Sequence, residues 1–191
     1  MRRYFIYLGY NGKNFRGWQI QPNGMTVQQS IEEALAILMR TPVPIVGAGR
    51  TDAGVHAHLM IAHFDWEEPI GDLVFLAEKL NRLLPKDIAI NEVYKARKGF
   101  SARFDARSRT YTYRIADRDA RPVLSRGAVW WHRYPLDVEA MSAACPALLG
   151  EQDFKSFCKV SSAVGKPTHR CVMRAEFGHE VAFGEDILTF T

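Results

Sequence analysis

Two apolar periodicities alternate along the chain, one suited to strands and one to helices. Arg3 to Tyr10 is rich in aromatic and branched residues and predicts a strand. Thr26, with Gln29 three residues on, has the form of a capping box. The segment after it places Val27, Ile31, Ala34, Leu35 and Leu38 at helical spacing, until Pro42 and Pro44 stop the pattern. Val43 to Val46 and Leu59 to Phe64 read as strands. A second helix is expected from about Gly71 to Leu84 on the stripe Leu73, Leu76, Ala77, Leu80 and Leu84. Ile88 to Tyr94 is the next strand. The order strand, helix, strand, strand, helix, strand fits a split βαβ sheet of ferredoxin-like type.

After a basic connector a similar order begins again. Arg109 to Ala116 alternates as a strand, and Val129 to His132 is short and apolar. Asp137 caps a helix expected to run through Leu149 and end at Gly150. Cys171 to Phe177 and Ile187 to Thr191 read as strands. The second run therefore lacks a last helix and strand.

Composition narrows the class. A chain of 191 residues, 47% hydrophobic and 24% charged, has the make-up of a soluble globular protein of one or two domains. The N-terminus starts like a signal peptide, but its apolar run stops at Gly9, and no run approaches membrane-spanning length. Cys145, Cys158 and Cys171 show no metal-type pairing and read as reduced thiols of a cytosolic protein.

Charge changes the picture more. The net charge is +4, yet residues 95–133 hold eleven Lys and Arg against three Asp, a local +8. Nine of the eleven are arginines, interleaved with Phe, Tyr and Trp. A solvated face is the plain alternative, but arginine suits forked phosphate contacts and aromatics suit base stacking. The segment has no amphipathic-helix pattern, so nucleic acid is the expected partner rather than a membrane.

Candidate chemistry concentrates in Gly47-Ala48-Gly49-Arg50-Thr51-Asp52-Ala53-Gly54-Val55-His56-Ala57-His58, between the two central strands. A glycine-rich hairpin connection and a loop presenting catalytic groups both fit this composition. Asp52, two residues from Arg50, is either held ionised as a nucleophile or base, or part of a structural ion pair. His56 and His58 would share a strand face. With Asp52 and His63 they form a conceivable metal set, but no second carboxylate or thiolate completes a familiar pattern, and no metal is expected. Tyr111 and Tyr113 fall on one face of the basic strand, to pack across the sheet or to stack on a base.

The loop Gly-Ala-Gly-Arg-Thr-Asp-Ala-Gly-Val-His-Ala-His resembles the signature of the TruA family of tRNA pseudouridine synthases. Gly17-Trp18-Gln19, the run from Asn81 to Ile88, Phe100-Ser101-Ala102-Arg103-Phe104, Arg109 to Tyr113 and the run from Leu148 to Phe157 agree in order, so the resemblance covers the whole chain. It implies an α+β protein of two ferredoxin-like halves, mainly antiparallel, with a central cleft. Those halves correspond here to residues 1–104, carrying the loop, and 105–191, carrying the basic aromatic strand. It implies a cytoplasmic homodimer that isomerises uridine to pseudouridine at positions 38 to 40 of the tRNA anticodon stem-loop, with no cofactor. By position, Asp52 matches the catalytic aspartate, Arg50 the arginine paired with it and Tyr111 the tyrosine that packs on the base. Arg103, Arg109, Arg114 and His56 are expected to contact substrate.

Asn11 and Ser101 depart from the residues usual at those places, Asp and His. The family also continues past Leu188-Thr189-Phe190 into a Met-Val-Arg segment, a helix and a strand. The expectation is therefore a truncated second half, with a non-catalytic tRNA-binding fragment as the alternative to an enzyme.

Overall fold

In the computed structural model, which describes residues 1–97, 99–158, 165, 167–182 and 184–191, strand β1 (Arg2–Tyr10) is the axis of the first sheet. Lys98, one of the eleven basic residues, lies outside the described residues. β1 pairs antiparallel with β3 (Ala57–Trp66) on one side and with β4 (Ile88–Lys95) on the other. The short β2 (Val46–Gly47) closes the outer side of β3, giving the antiparallel order β2-β3-β1-β4. Helix α1 (Val27–Met39) joins β1 to β2, and α2 (Leu73–Leu83) joins β3 to β4. This is the connectivity of a split βαβ sheet.

Alternation explains the burial. Tyr4, Ile6, Leu8 and Tyr10 of β1 are all buried, while their odd-numbered neighbours are half-exposed. The buried side chains join Val27, Ile31, Ala34 and Leu35 of α1 and Leu76, Ala77 and Leu80 of α2 in one hydrophobic cluster. Each fully buried Ile or Leu in it contributes about 1.5–3 kcal/mol. Thr26 caps α1, its Oγ1 accepting from Gln29 N–H at 3.3 Å. The Gln29 side-chain amide donates to Glu33 Oε1 one turn on, at 2.9 Å. Asp72 caps α2 through Phe75 N–H at 2.8 Å, a start that composition alone places at Gly71.

The expected strand Val43 to Val46 is reduced to Val46–Gly47. Pro44 has no N–H for a ladder, and Ile45 N–H donates at 3.0 Å to the Glu32 side chain of α1.

The chain divides into two compact units, Met1–Arg109 and Thr110–Thr191. In the second, β5 (Tyr113–Asp117), β6 (Trp130–His132), β9 (Phe177–Ala182) and β10 (Glu185–Phe190) form a sheet in the order β6-β5-β10-β9. β5 and β6 run parallel and the other pairs antiparallel. β7 (Gly150–Asp153) and β8 (His169–Val172) make a separate antiparallel pair. The chain is thus of mixed α+β class, dominated by antiparallel sheet.

Three expectations for this unit need correction. The strand from Arg109 begins only at Tyr113, because pairing with β10 starts at Tyr113 opposite Phe190. Tyr111 therefore lies outside the strand and shares no strand face with Tyr113. The helix from Asp137 is α3 (Val138–Ala144), and Cys145–Leu148 tightens into a 3-10 turn around Pro146, which has no N–H for an α-helical bond. The strand Cys171 to Phe177 is two strands, since the chain leaves β7 after Val172 and joins β10 from Phe177.

Candidate active site

Residues 48–56 connect β2 to β3, and the backbone of residues 10–18 sets their course. Trp18 N–H donates to Thr51 O at 3.1 Å, and Gly54 N–H donates to Phe15 O at 3.3 Å. The Tyr10 hydroxyl and Thr51 Oγ1 share a hydrogen bond of 2.8 Å. Gly12 N–H donates to His56 Nδ1 at 3.1 Å, so the proton of the neutral ring lies on Nε2. Val55 N–H returns to Asp52 O at 3.2 Å and makes the Asp52 segment a tight turn.

Two glycines permit this approach. Gly17 has φ +92°, and a Cβ there would stand 2.5 Å from Thr51 O. A Cβ on Gly12 would stand 2.0 Å from Val55 O. Both meet backbone atoms, which cannot swing aside as a side chain can. Beneath the loop, Tyr10 and Trp18 are buried with ring centroids 6.1 Å apart.

The result is a rigidly held turn with an outward carboxylate. Asp52 and Arg50 are both exposed, and among the described residues no ion pair links them. An exposed carboxylate on an immobilised backbone can attack a carbon, accept a proton or stabilise developing positive charge. Among the described residues, no group of three or more His, Cys, Asp and Glu comes together as a metal-binding set. His56 precedes β3 and holds the Gly12 backbone, while His58 is exposed as the second residue of β3, so they do not form a shared strand face. His63 is buried, with its Nδ1 accepting from Ala102 N–H at 3.1 Å.

The basic candidates have different surroundings. Arg109 donates through Nη2 to Ala48 O at 2.6 Å, which brings it onto the loop. Arg103 is exposed, its guanidinium carbon 5.3 Å from the centroid of the Phe104 ring. Arg114 is bound to Glu180, Nε to Oε1 at 2.5 Å, so its charge is matched within its own sheet. Tyr111, in the second unit, is 56% exposed. The supporting roles of Tyr10, Thr51 and Gly12 have no signal in composition. The Gly17-Trp18 pair does have one, a glycine beside a large aromatic in a loop.

A family model described as tRNA pseudouridine synthase matches residues 7–105. A tRNA pseudouridine synthase A of Parabacteroides distasonis is 68% identical over 171 residues, 90% of this chain and 66% of that protein. The protein of the same name from Azobacteroides pseudotrichonymphae is 51% identical over 162 residues, 85% of this chain and 64% of the relative. The one from Bacteroides fragilis is 46% identical over 182 residues, 94% of this chain and 70% of the relative. The chain thus spans about two thirds of the length of these relatives. The family match starts within β1 and runs through the Asp52 loop and both helices of the first unit, and on that ground the chain belongs to the tRNA pseudouridine synthase family.

Proposed function

We propose that this chain converts uridine to pseudouridine in tRNA, at positions 38 to 40 of the anticodon stem-loop, with Asp52 as the essential carboxylate. The observation that carries the reading is the setting of Asp52: exposed, on a turn whose backbone is held by Trp18 and Phe15 and whose Thr51 side chain is held by Tyr10. The reaction breaks the C1′–N1 bond of uridine, rotates the uracil and joins its C5 to C1′. The C5 hydrogen leaves as a proton and the freed N1 takes one up, so the change is an isomerisation that needs no oxidant or reductant. A carboxylate serves the first step by attacking C1′, as in a retaining glycosidase, or by removing a sugar proton.

The base must leave its stack to be reached. Tyr111 is assigned to pack on it and Arg50 to accompany Asp52, both by position in the family signature. Arg103 and Arg109, exposed and free of carboxylate partners among the described residues, are assigned to phosphates, with His56 at the edge of the loop. Arg114 takes a weaker part, since Glu180 occupies it. The same reading takes the two units as ferredoxin-like halves, the working molecule as a cytoplasmic homodimer and the chemistry as cofactor-free.

Tritium release from tRNA labelled at uracil C5 tests the proposal. Release by the parent and its loss in Asp52→Ala, with an unchanged thermal melt, is the expected result. Salt-sensitive tRNA binding without release would leave a binding module and overturn it.

A further inference from the structure

We infer that Tyr10 is a positioning residue for Asp52, acting through Thr51. The inference rests on the reading of Asp52 as the essential carboxylate, and it adds the part that holds that carboxylate in place.

Thr51 is gripped at two points. Its side-chain oxygen meets the Tyr10 hydroxyl at 2.8 Å, and its carbonyl accepts from Trp18 N–H at 3.1 Å. Together the two bonds restrain the peptide joining Thr51 to Asp52. The carbonyl of Asp52 is in turn closed by Val55 N–H at 3.2 Å. The backbone on both sides of Asp52 is therefore set, while its side chain stays exposed.

Tyr10 suits this task by its placement. It ends β1, where it pairs with Ala57 on β3 and Ile88 on β4. Only 5% of its surface is exposed, and its ring is braced against Trp18. The hydroxyl is thus delivered to the loop from the most constrained strand of the sheet. A group carried by rigid elements holds a reacting side chain more accurately than one carried by a loop. The glycines have a matching part, since Gly17 lets Trp18 N–H reach Thr51 without a Cβ between them.

The predicted consequence is a loss in turnover rather than in RNA binding. Tyr10→Phe keeps the ring and removes the oxygen. A misplacement of about 1 Å at a reacting group costs on the order of a hundredfold, so kcat should fall by about ten- to a hundredfold with KM for tRNA unchanged.

The test joins kinetics to amide hydrogen exchange by NMR on the parent, Tyr10→Phe, Thr51→Val and the double variant. Trp18 and Val55 amides should exchange several-fold faster in each variant. The double variant should be no faster than the single ones, because both remove one bond. Thr51→Ser, which keeps the oxygen, should return exchange to the parent rate. Unchanged exchange in Tyr10→Phe would overturn the inference, as would additive effects or a rise in KM at constant kcat. If the parent makes no pseudouridine, the proposed function falls, and the exchange data still decide whether Tyr10 holds the loop.

Discussion

The Arg109 guanidinium reaches back over the chain to the Ala48 carbonyl, at 2.6 Å, and covers Gly49 closely enough that a Cβ there would stand 2.8 Å from Arg109 Nε. One N–H of the guanidinium is used in holding the loop. An arginine has five, so others stay available to a phosphate.

Arg109→Ala should therefore weaken tRNA binding across sequences and lower the slope of log affinity against log salt by about 1. The hydrogen bond to Ala48 has a charged donor but is exposed, so its loss should cost about 1–2 kcal/mol of stability. Filter binding over a KCl series, with a urea melt of the same variant, checks both.

Gly17 and Gly54 separate contact from strain. Both have positive φ, +92° and +81°, but a Cβ on Gly17 meets Thr51 O at 2.5 Å while one on Gly54 meets nothing within 4 Å. Gly54→Ala should cost about 1 kcal/mol through backbone strain alone. Gly17→Ala should cost about 2–4 kcal/mol and abolish turnover, because the loop must move away from Trp18. Urea midpoints and tritium release on the two variants give the comparison.

His63 sets an acid limit on stability. Burial first, and the nearby Arg3 charge second, hold its pKa below the ordinary value, against a smaller opposing pull from Asp65. The unfolded chain takes up this proton near pH 6.5 and the folded chain only lower. Between the two the unfolded state binds more protons, so stability falls as pH falls. His63→Gln, whose amide oxygen can replace Nδ1 toward Ala102, should flatten urea stability over the range that begins near pH 6.5.

Asp65 acts lower in the same range. Its bond to Arg3, Oδ2 to Nη2 at 2.7 Å, is the main cause holding its carboxyl below the ordinary carboxylate range. That stability is present above about pH 4 and is lost as pH falls through the folded-state value. Asp65→Asn should lessen the loss below about pH 4 and, by removing the charge that opposes burial at His63, widen the His63 step. Urea midpoints measured from pH 7 to 3 separate the two.

The sequence was most legible where period and caps agreed. The stripe from Val27 to Leu35, with Thr26 before it, reads as α1 because burial, spacing and capping all favour one answer. β1 reads equally well, since its alternating residues are packed on one side only. Legibility failed where pairing, not composition, decides. Thr110-Tyr111-Thr112 alternates like a strand, yet pairing with β10 begins only at Tyr113. β7, Gly-Glu-Gln-Asp and exposed throughout, has no apolar signal at all. In the site, Asp52 was visible through its motif. The grip of Tyr10 on Thr51 was not, because it joins residues 41 apart in sequence.

β1 has a consequence for how the chain acquires this site. Its ladder partners are residues 57–66 and 88–95, and among the described residues no other strand pairs with it. During synthesis the first fifty or so residues leave the ribosome with their central strand unpaired. The Asp52 turn emerges before β3, the first strand that β1 can bind. Local order in α1 can form early, but the long-range pairing that brings Tyr10 and Trp18 to the turn must wait for later residues. The segment carrying the carboxylate is thus made early and set late, once β3 has paired with β1.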